Sequence, residues 1–290
     1  MRRMALPSAA LPWPGPSPGT VGVVAPAIAD IAVIGGTGFY SFLDDPRQHR
    51  VSTPYGDPSG PVSVGTVRGR RVAFVPRHGP HHEHPPHAIN YRANAWALRS
   101  LGVRQVLAPC AVGGLTSDVA PGDLVLPDQL VDRTHRRVGS FVEHGACHLP
   151  FADPYCRDVG TAVLAAGSDI VDGGAMVVIE GPRFSTRAES QHYAAQGWAL
   201  VNMTGAPEAA LAREMRQCYA ALALVTDMDA GADSGQGVSQ DEVFILFKRN
   251  LERLTGLLTE TIAGLPDPQG CSCSGWADDV ELTYDIPGPE

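Results

Sequence analysis

The sequence predicts an α/β fold, a single domain with a mixed, mainly parallel central sheet flanked by helices. Three observations carry that expectation. Strand-like apolar runs alternate with amphipathic, helix-like stretches through most of the 290 residues, the order that builds a parallel sheet with helical crossovers. The apolar runs are largely unbroken, as in strands covered on both faces. Nearly every run also stops at glycine or at a charged or polar side chain, and open α/β sheets gather their functional groups at the carboxyl ends of their strands.

Taken in order, "IAVIGGTG" (31–38) reads as an apolar strand breaking into a glycine-rich turn, and "RVAFVPRHG" (71–79) as a second strand ending in charge. "NYRANAWALRSLG" (90–102) has helical spacing and a glycine stop, and "VRQVLAPCAVGGL" (103–115) follows as a strand running into glycines. "AMVVIEGPRFSTRAESQHYAAQG" (175–197) reads as strand, loop and helix. "PEAALAREMRQ" (207–217) is a helix, "CYAALALVTDMDAG" a buried strand, and "SQDEVFILFKRNLERLTGLLTETIAGL" (239–265) a long amphipathic helix. Residues 28–265 are therefore expected to form one domain. Residues 1–27, broken by proline and glycine, read as a disordered N-terminal extension rather than a signal peptide, and 266–290 as a flexible C-terminal tail.

Composition narrows the function classes. The net charge is −9, with a single lysine, Lys248, among the 22 basic side chains, so no basic stripe points to nucleic acid. No apolar span is long enough for a membrane helix. Six cysteines are too few for a secreted disulfide scaffold of this length, and a reducing, cytoplasmic setting is expected. Cys271-Ser-Cys273 has the form of a redox clip, but on a flexible tail such a pair is expected to be inert.

The strand ends hold the chemistry: Gly36-Thr37-Gly38, Arg77-His78, Cys110 to Gly114, Glu180-Gly181, Asn202-Met203-Thr204 and Asp227-Met228-Asp229. Asp227 and Asp229, two residues apart on a strand, should face the same side. Two carboxylates crowded on a buried face are costly to ionise, so one is expected to hold a proton at neutral pH.

The stretches "IGGTGFY", "PRHGPHHEHPPHAINYRANAWALRSLG", "PGDLVLPDQLVDRT", "GACHLPFADPYC", "VVIEGPRFSTRAES", "NMTGAPEAALARE" and "TDMDAG" resemble the trimeric purine nucleoside phosphorylase family, most closely its 5'-methylthioadenosine phosphorylase branch. The resemblance spans about residues 30 to 262 and implies the nucleoside phosphorylase fold. It also implies phosphate-dependent cleavage of a purine nucleoside, with inorganic phosphate as co-substrate and no cofactor or metal. By that resemblance Thr37, Arg77, His78, Cys110, Ala111 and Thr204 hold phosphate, Met203 lies at the ribose, and Phe184 and Ser185 at the base. His148, Gln240 and Val243 would surround the 5' substituent, with His148 supplied by a neighbouring subunit of a homotrimer. Two positions depart from the branch: Cys110 stands where a threonine hydroxyl is expected, and Gln240 where a valine is more typical.

Asp227 and Asp229 match the paired aspartates of the adenine-specific branch. A proton held there would be delivered to N7 as negative charge builds in the leaving purine. A carboxylate also accepts from a 6-amino group, whereas branches acting on 6-oxopurines place an asparagine there. Phosphorolysis of S-methyl-5'-thioadenosine is thus expected. The alternatives are a 6-oxopurine nucleoside or 5'-methylthioinosine phosphorylase, a nucleosidase using water, and a nucleoside-binding protein without turnover. The loop "HGPHHEHPPH" (78–87) holds five histidines and a glutamate. Its crowded spacing and prolines favour structural and substrate-lining roles, His82 among them, over a metal site.

Overall fold

The computed structural model describes residues 26–36, 43–230 and 238–289. Its strands are β1 (Ile31–Gly35), β2 (Asp44–His49), β3 (Val62–Val67), β4 (Arg70–Pro76), β5 (Gln105–Gly114), β6 (Leu124–Leu126), β7 (Gln129–Asp132), β8 (Ile170–Asp172), β9 (Ala175–Val178), β10 (Leu200–Asn202) and β11 (Cys218–Met228). The helices are α1 (Tyr91–Ser100), α2 (Arg157–Ala166), α3 (Arg187–Ala195), α4 (Gly205–Glu214), α5 (Gln240–Gly264) and the short α6 (Ser272–Gly275). The strands form one mixed sheet in the order β2-β3-β4-β1-β5-β10-β9-β7, from which β11 branches off β5 and continues to β6 and β8. Parallel pairings join β1 to β4 and β5, and β5 to β11. The predicted α/β class and all the main predicted elements are present.

Side-chain alternation on the two central strands builds two cores. On β5 and β11, Val106, Ala108, Tyr219, Ala221 and Ala223 point to the layer holding Leu98 of α1 and Ala209 of α4. Leu107, Ala220, Leu222 and Leu224 point to the opposite layer, against Val159 and Val163 of α2 and Leu254, Leu258 and Ile262 of α5. Both faces are covered along most of these strands, which is why both read as largely apolar runs.

β5 pairs unevenly along one edge. Gln105 to Leu107 run beside β1, and only Gly113 and Gly114 meet β10, so among the described residues no strand pairs with 108–112 on that side. Pro109 falls in this gap. Proline has no N–H to give a ladder, and a break in pairing is where a central strand tolerates it.

The segment expected as a flexible tail packs against the domain instead. Trp276 Nε1 donates to the carbonyl of Arg213 at 2.8 Å, and the Tyr284 hydroxyl to that of Glu214 at 2.8 Å. Cys273 and Ala277 are buried, and Tyr284 lies against Phe141 with ring centroids 5.8 Å apart. Average composition hid these few anchors among proline, glycine and acids. The expected N-terminal extension falls outside the described residues up to position 25.

Candidate active site

A cavity of about 400 Å³ opens at the break in β5 pairing, and of the expected site residues it is lined by Arg77, His78, Cys110, Ala111, Phe184, Ser185, Met203, Thr204, Asp227, Asp229, Gln240 and Val243. Thr37 lies outside the described residues, although neighbouring Gly36 reaches the lining. His148 is exposed and does not line its own chain's cavity.

Two carbonyls freed by the gap in β5 are taken by side chains. Arg77 Nη1 donates to Pro109 O at 3.0 Å, and Asn202 Nδ2 to Ala111 O at 3.1 Å. A strand residue turns its N–H and C=O to the same edge, so the amide of Ala111 is directed toward the gap. Asn202 Oδ1 accepts from the amides of Thr204 and Gly205, each at 2.7 Å. This ties the start of α4 to the end of β5 and sets Thr204 at the cavity wall.

Arg77 is 2% exposed and already paired: Nε and Nη2 each donate to Glu208 at 2.8 Å. Burial opposes its charge, but the attraction of Glu208 and its hydrogen bonds outweigh burial and raise the guanidinium's pKa. Tyr219 donates to the same carboxylate at 2.8 Å. Three guanidinium hydrogens are therefore committed, leaving two for a ligand. The single charge of Arg77 does not stand free to meet an anion.

His78 places Nδ1 2.9 Å from the carbonyl of His84. Because a carbonyl only accepts, Nδ1 carries the proton. Burial lowers the pKa of His78 to about 4, so near neutral pH its Nε2 is a lone-pair acceptor. Cys110 is a neutral thiol, pushed up to about 12 by burial.

At the opposite end sit the aspartates. β11 bulges at Thr226: Val225 stands opposite Val112 of β5, and Asp227 opposite Gly113. Beyond the bulge alternation resumes. A Cβ on Gly113 would lie 3.1 Å from Asp227 Oδ1 and 3.1 Å from Asp229 Cβ, whereas one on Gly114 would meet Met228 Sδ at 2.7 Å. The two carboxyl groups thus flank Gly113 together, with Met228 turned to Gly114. Burial raises Asp227 to about 6, with the charges of Asp229 and Glu242 adding to the rise and the Thr226 hydroxyl, 2.8 Å away, opposing it. Asp229 is 2% exposed, and its Oδ2 has no hydrogen-bond partner among the described residues. The hydroxyl of Ser185 is likewise buried and unpartnered. Two orphaned polar atoms facing one cavity mark where a polar ligand fits.

Met203 also lines the cavity, and its sulfur would sit 2.7 Å from a Cβ on Gly181, a glycine with φ +64°. Sequence reasoning missed Phe244 and Phe247 of α5, which line the cavity beside Val243. It also missed Glu208, the buried partner of Arg77. The aromatic pair was legible as residues one turn beyond Val243 and Gln240 on the same helix; nothing local marked Glu208.

The histidine-rich loop is held by its own contacts. His78 stacks on His82 with centroids 4.5 Å apart, and Glu83 accepts from the amide of His81 at 2.7 Å. Gly79, at φ +83°, sits so close to the Glu83 carboxylate that any Cβ would collide with it.

A mixed α/β sheet with a cavity at its strand ends, set between an arginine–histidine corner and two aspartates, one buried and one partly buried, defines a small-molecule enzyme site. The chain belongs to the phosphorylase superfamily, whose family profile matches residues 30–263. It is 53% identical over 258 residues to the S-methyl-5'-thioadenosine phosphorylase of Mycolicibacterium smegmatis, covering 89% of this chain and 99% of that protein. It is also 55% identical over 260 residues to a purine nucleoside phosphorylase of Streptomyces coelicolor, covering 84% and 93%. The structure of methylthioadenosine phosphorylase from Schistosoma mansoni in complex with adenine superposes with a TM-score of 0.80 at 33% identity, over 87% of this chain and 96% of that one.

Proposed function

We propose that this enzyme cleaves S-methyl-5'-thioadenosine with inorganic phosphate, releasing adenine and 5-methylthioribose 1-phosphate, and that it uses no cofactor or metal in this step. The observation that carries the reading is the Asp227–Asp229 pair beside Gly113, with the Asp227 carboxyl raised to about 6. Such a group is still protonated in part of the enzyme near neutral pH, and that fraction delivers its proton to N7. Asp229, with its unpartnered Oδ2, accepts from the 6-amino group.

Phosphate would occupy the opposite end. The amide of Ala111, the hydroxyls of Thr37 and Thr204, the thiol of Cys110 and the two spare hydrogens of Arg77 donate to it. His78 accepts the proton of hydrogen phosphate at Nε2. The sugar lies between, against Met203, with C1' exposed to the phosphate. Phe184 and Ser185 hold the purine; Val243 and Gln240, with Phe244 and Phe247, wall the 5' methylthio group.

In this reading the active enzyme is a cytoplasmic homotrimer, with His148 closing the neighbour's 5' pocket. Its support is the apolar surface left exposed at Phe244, Ile245 and Val138. Val138 lies in the same stretch as His148, and Phe244 on the cavity rim. Among the described residues no helix is long and apolar enough to cross a membrane.

A second reading, phosphorolysis of 6-oxopurine nucleosides or 5'-methylthioinosine, draws on a 43% identical relative from Methanothermobacter thermautotrophicus that is a probable S-methyl-5'-thioinosine phosphorylase. The test is product chromatography with 5'-methylthioadenosine and 5'-methylthioinosine, each with and without phosphate. Adenine released only with phosphate is the expected result. Hypoxanthine alone would establish the second reading, and no product from either would leave a binding protein.

A further inference from the structure

Away from the cavity, four of the six cysteines meet. Cys156 precedes α2, Cys218 opens β11, and Cys271 and Cys273 come from the C-terminal segment. All four sulfur atoms lie within 4.8 Å of one another. None is disulfide-bonded, and Cys156 Sγ stands 3.7 Å from Cys271 Sγ. We propose that Cys156, Cys218, Cys271 and Cys273 form a tetrathiolate zinc site that fastens the C-terminal segment to the domain.

The distances favour a metal over both simpler arrangements. A disulfide needs sulfurs about 2.05 Å apart. Zinc bonded to four thiolates at about 2.3 Å sets neighbouring sulfurs about 3.8 Å apart at the corners of a tetrahedron, close to the Cys156–Cys271 separation. Cysteines acting only as small apolar side chains have no reason to turn all four sulfurs to one point. These come from three separate parts of the chain, two of them contributed by the C-terminal segment.

The surroundings suit a closed structural site. Cys156, Cys218 and Cys273 are buried, while Cys271 is partly exposed and offers a path for the ion. Four thiolates around Zn²⁺ carry a net charge of −2, so nearby positive charge is favourable. Arg213 supplies it, bonded to the carbonyls of Pro150 and Asp153 at 3.2 and 2.8 Å. Its charge reaches the Cys273 sulfur. Four protein ligands leave no open coordination position, so the ion would take no part in catalysis. Loading releases the four thiol protons to solvent as the Zn–S bonds form. Soft thiolates select zinc over calcium or magnesium.

The experiment uses the full chain, produced in zinc-supplemented medium and purified with reductant and without chelator. Mass spectrometry of the metal should find about one zinc per chain in wild type and in Cys147→Ser, and less than about a tenth of that in the Cys271→Ser/Cys273→Ser double variant. Should the double variant fail to fold, wild type alone decides. A mercurial titrating its thiols should release zinc to a chromogenic chelator, and cobalt should replace zinc with the intense charge-transfer absorption of thiolate ligation. Wild type that carries no zinc and takes up no cobalt overturns the proposal. So does equal zinc in wild type and the double variant, or a Cys156–Cys271 disulfide peptide recovered in place of the metal.

Discussion

Arg77 and Glu208 form a bidentate ion pair beneath the cavity, with both N–O distances at 2.8 Å and both side chains almost wholly buried. Glu208 lies on α4 and Arg77 just past β4, so the pair locks together two elements that border the site. Removing one partner strands a buried charge, at a cost of about 3–5 kcal/mol. Glu208→Ala should therefore lower the urea midpoint sharply. Replacing both, as Arg77→Met with Glu208→Leu, should recover most of the stability while KM for phosphate stays high. If the double variant binds phosphate normally, Arg77 serves only the fold.

Asp227 should govern the alkaline side of the pH profile. Its carboxyl is raised from 3.8 to about 6, so protonated enzyme declines above that pH, and kcat/KM for 5'-methylthioadenosine should fall with it. Asp227→Asn should abolish that limb and reduce turnover by about 100-fold. Stability should move the other way. The folded protein holds a proton that the unfolded chain gives up, so the cost of burying this group is absent below about pH 3.8 and complete above about 6. Asp227→Asn should raise the urea midpoint at pH 8 and leave it unchanged at pH 3.5.

His78 carries the opposite linkage. Its pKa falls from 6.5 to about 4 on folding, so the folded state binds fewer protons. The stability tied to the neutral ring is present above pH 6.5 and is lost as pH drops toward 4. Between pH 7 and pH 5 this amounts to up to about 2 kcal/mol, and His78→Gln should flatten that part of the stability curve. With Nε2 as an acceptor, sulfate, which has no proton to donate near neutral pH, should compete poorly against phosphate. Sulfate inhibition matching phosphate affinity would contradict the tautomer.

Gly113 and Gly114 separate crowding of the acids from crowding of a flexible side chain. A Cβ at Gly113 would press on Val201 at 3.0 Å and on both aspartates at 3.1 Å, whereas at Gly114 it would meet the mobile end of Met228. Gly113→Ala should reduce kcat by at least about tenfold, with a stability loss of about 1–3 kcal/mol. Gly114→Ala should leave kcat within a few fold. Equal effects on kcat would mean that the placement of the carboxyl groups is not what Gly113 protects.

The parts of this fold that announce themselves in sequence are those buried on both faces or on one helical stripe. β5, β11 and α5 follow from apolar runs and helical period alone. β2 does not: "DDPRQH" is exposed along nearly its whole length and contains a proline, as an edge strand can, and no period marks it. β10 is three residues long, too short to show a pattern. In the site, Asp227 and Asp229 were legible because alternation fixes which side they share. The bond from Asn202 to Ala111 and the pairing of Glu208 with Arg77 span 91 and 131 residues, beyond the reach of any local spacing. The four-cysteine cluster was hidden for the same reason, since only Cys271 and Cys273 are neighbours in sequence.

Pro109 has a consequence for how the cavity survives folding. The gap in β5 pairing is flanked by β1 on one side and β10 on the other, and a register slip of either strand would begin to zip it shut. At position 109 the incoming strand would find a carbonyl already claimed by Arg77 and no amide at all. The ring of one proline thus makes the closed sheet a poorer competitor than the open one. The vacancy that admits substrate is guarded by covalent structure, not only by the contacts around it.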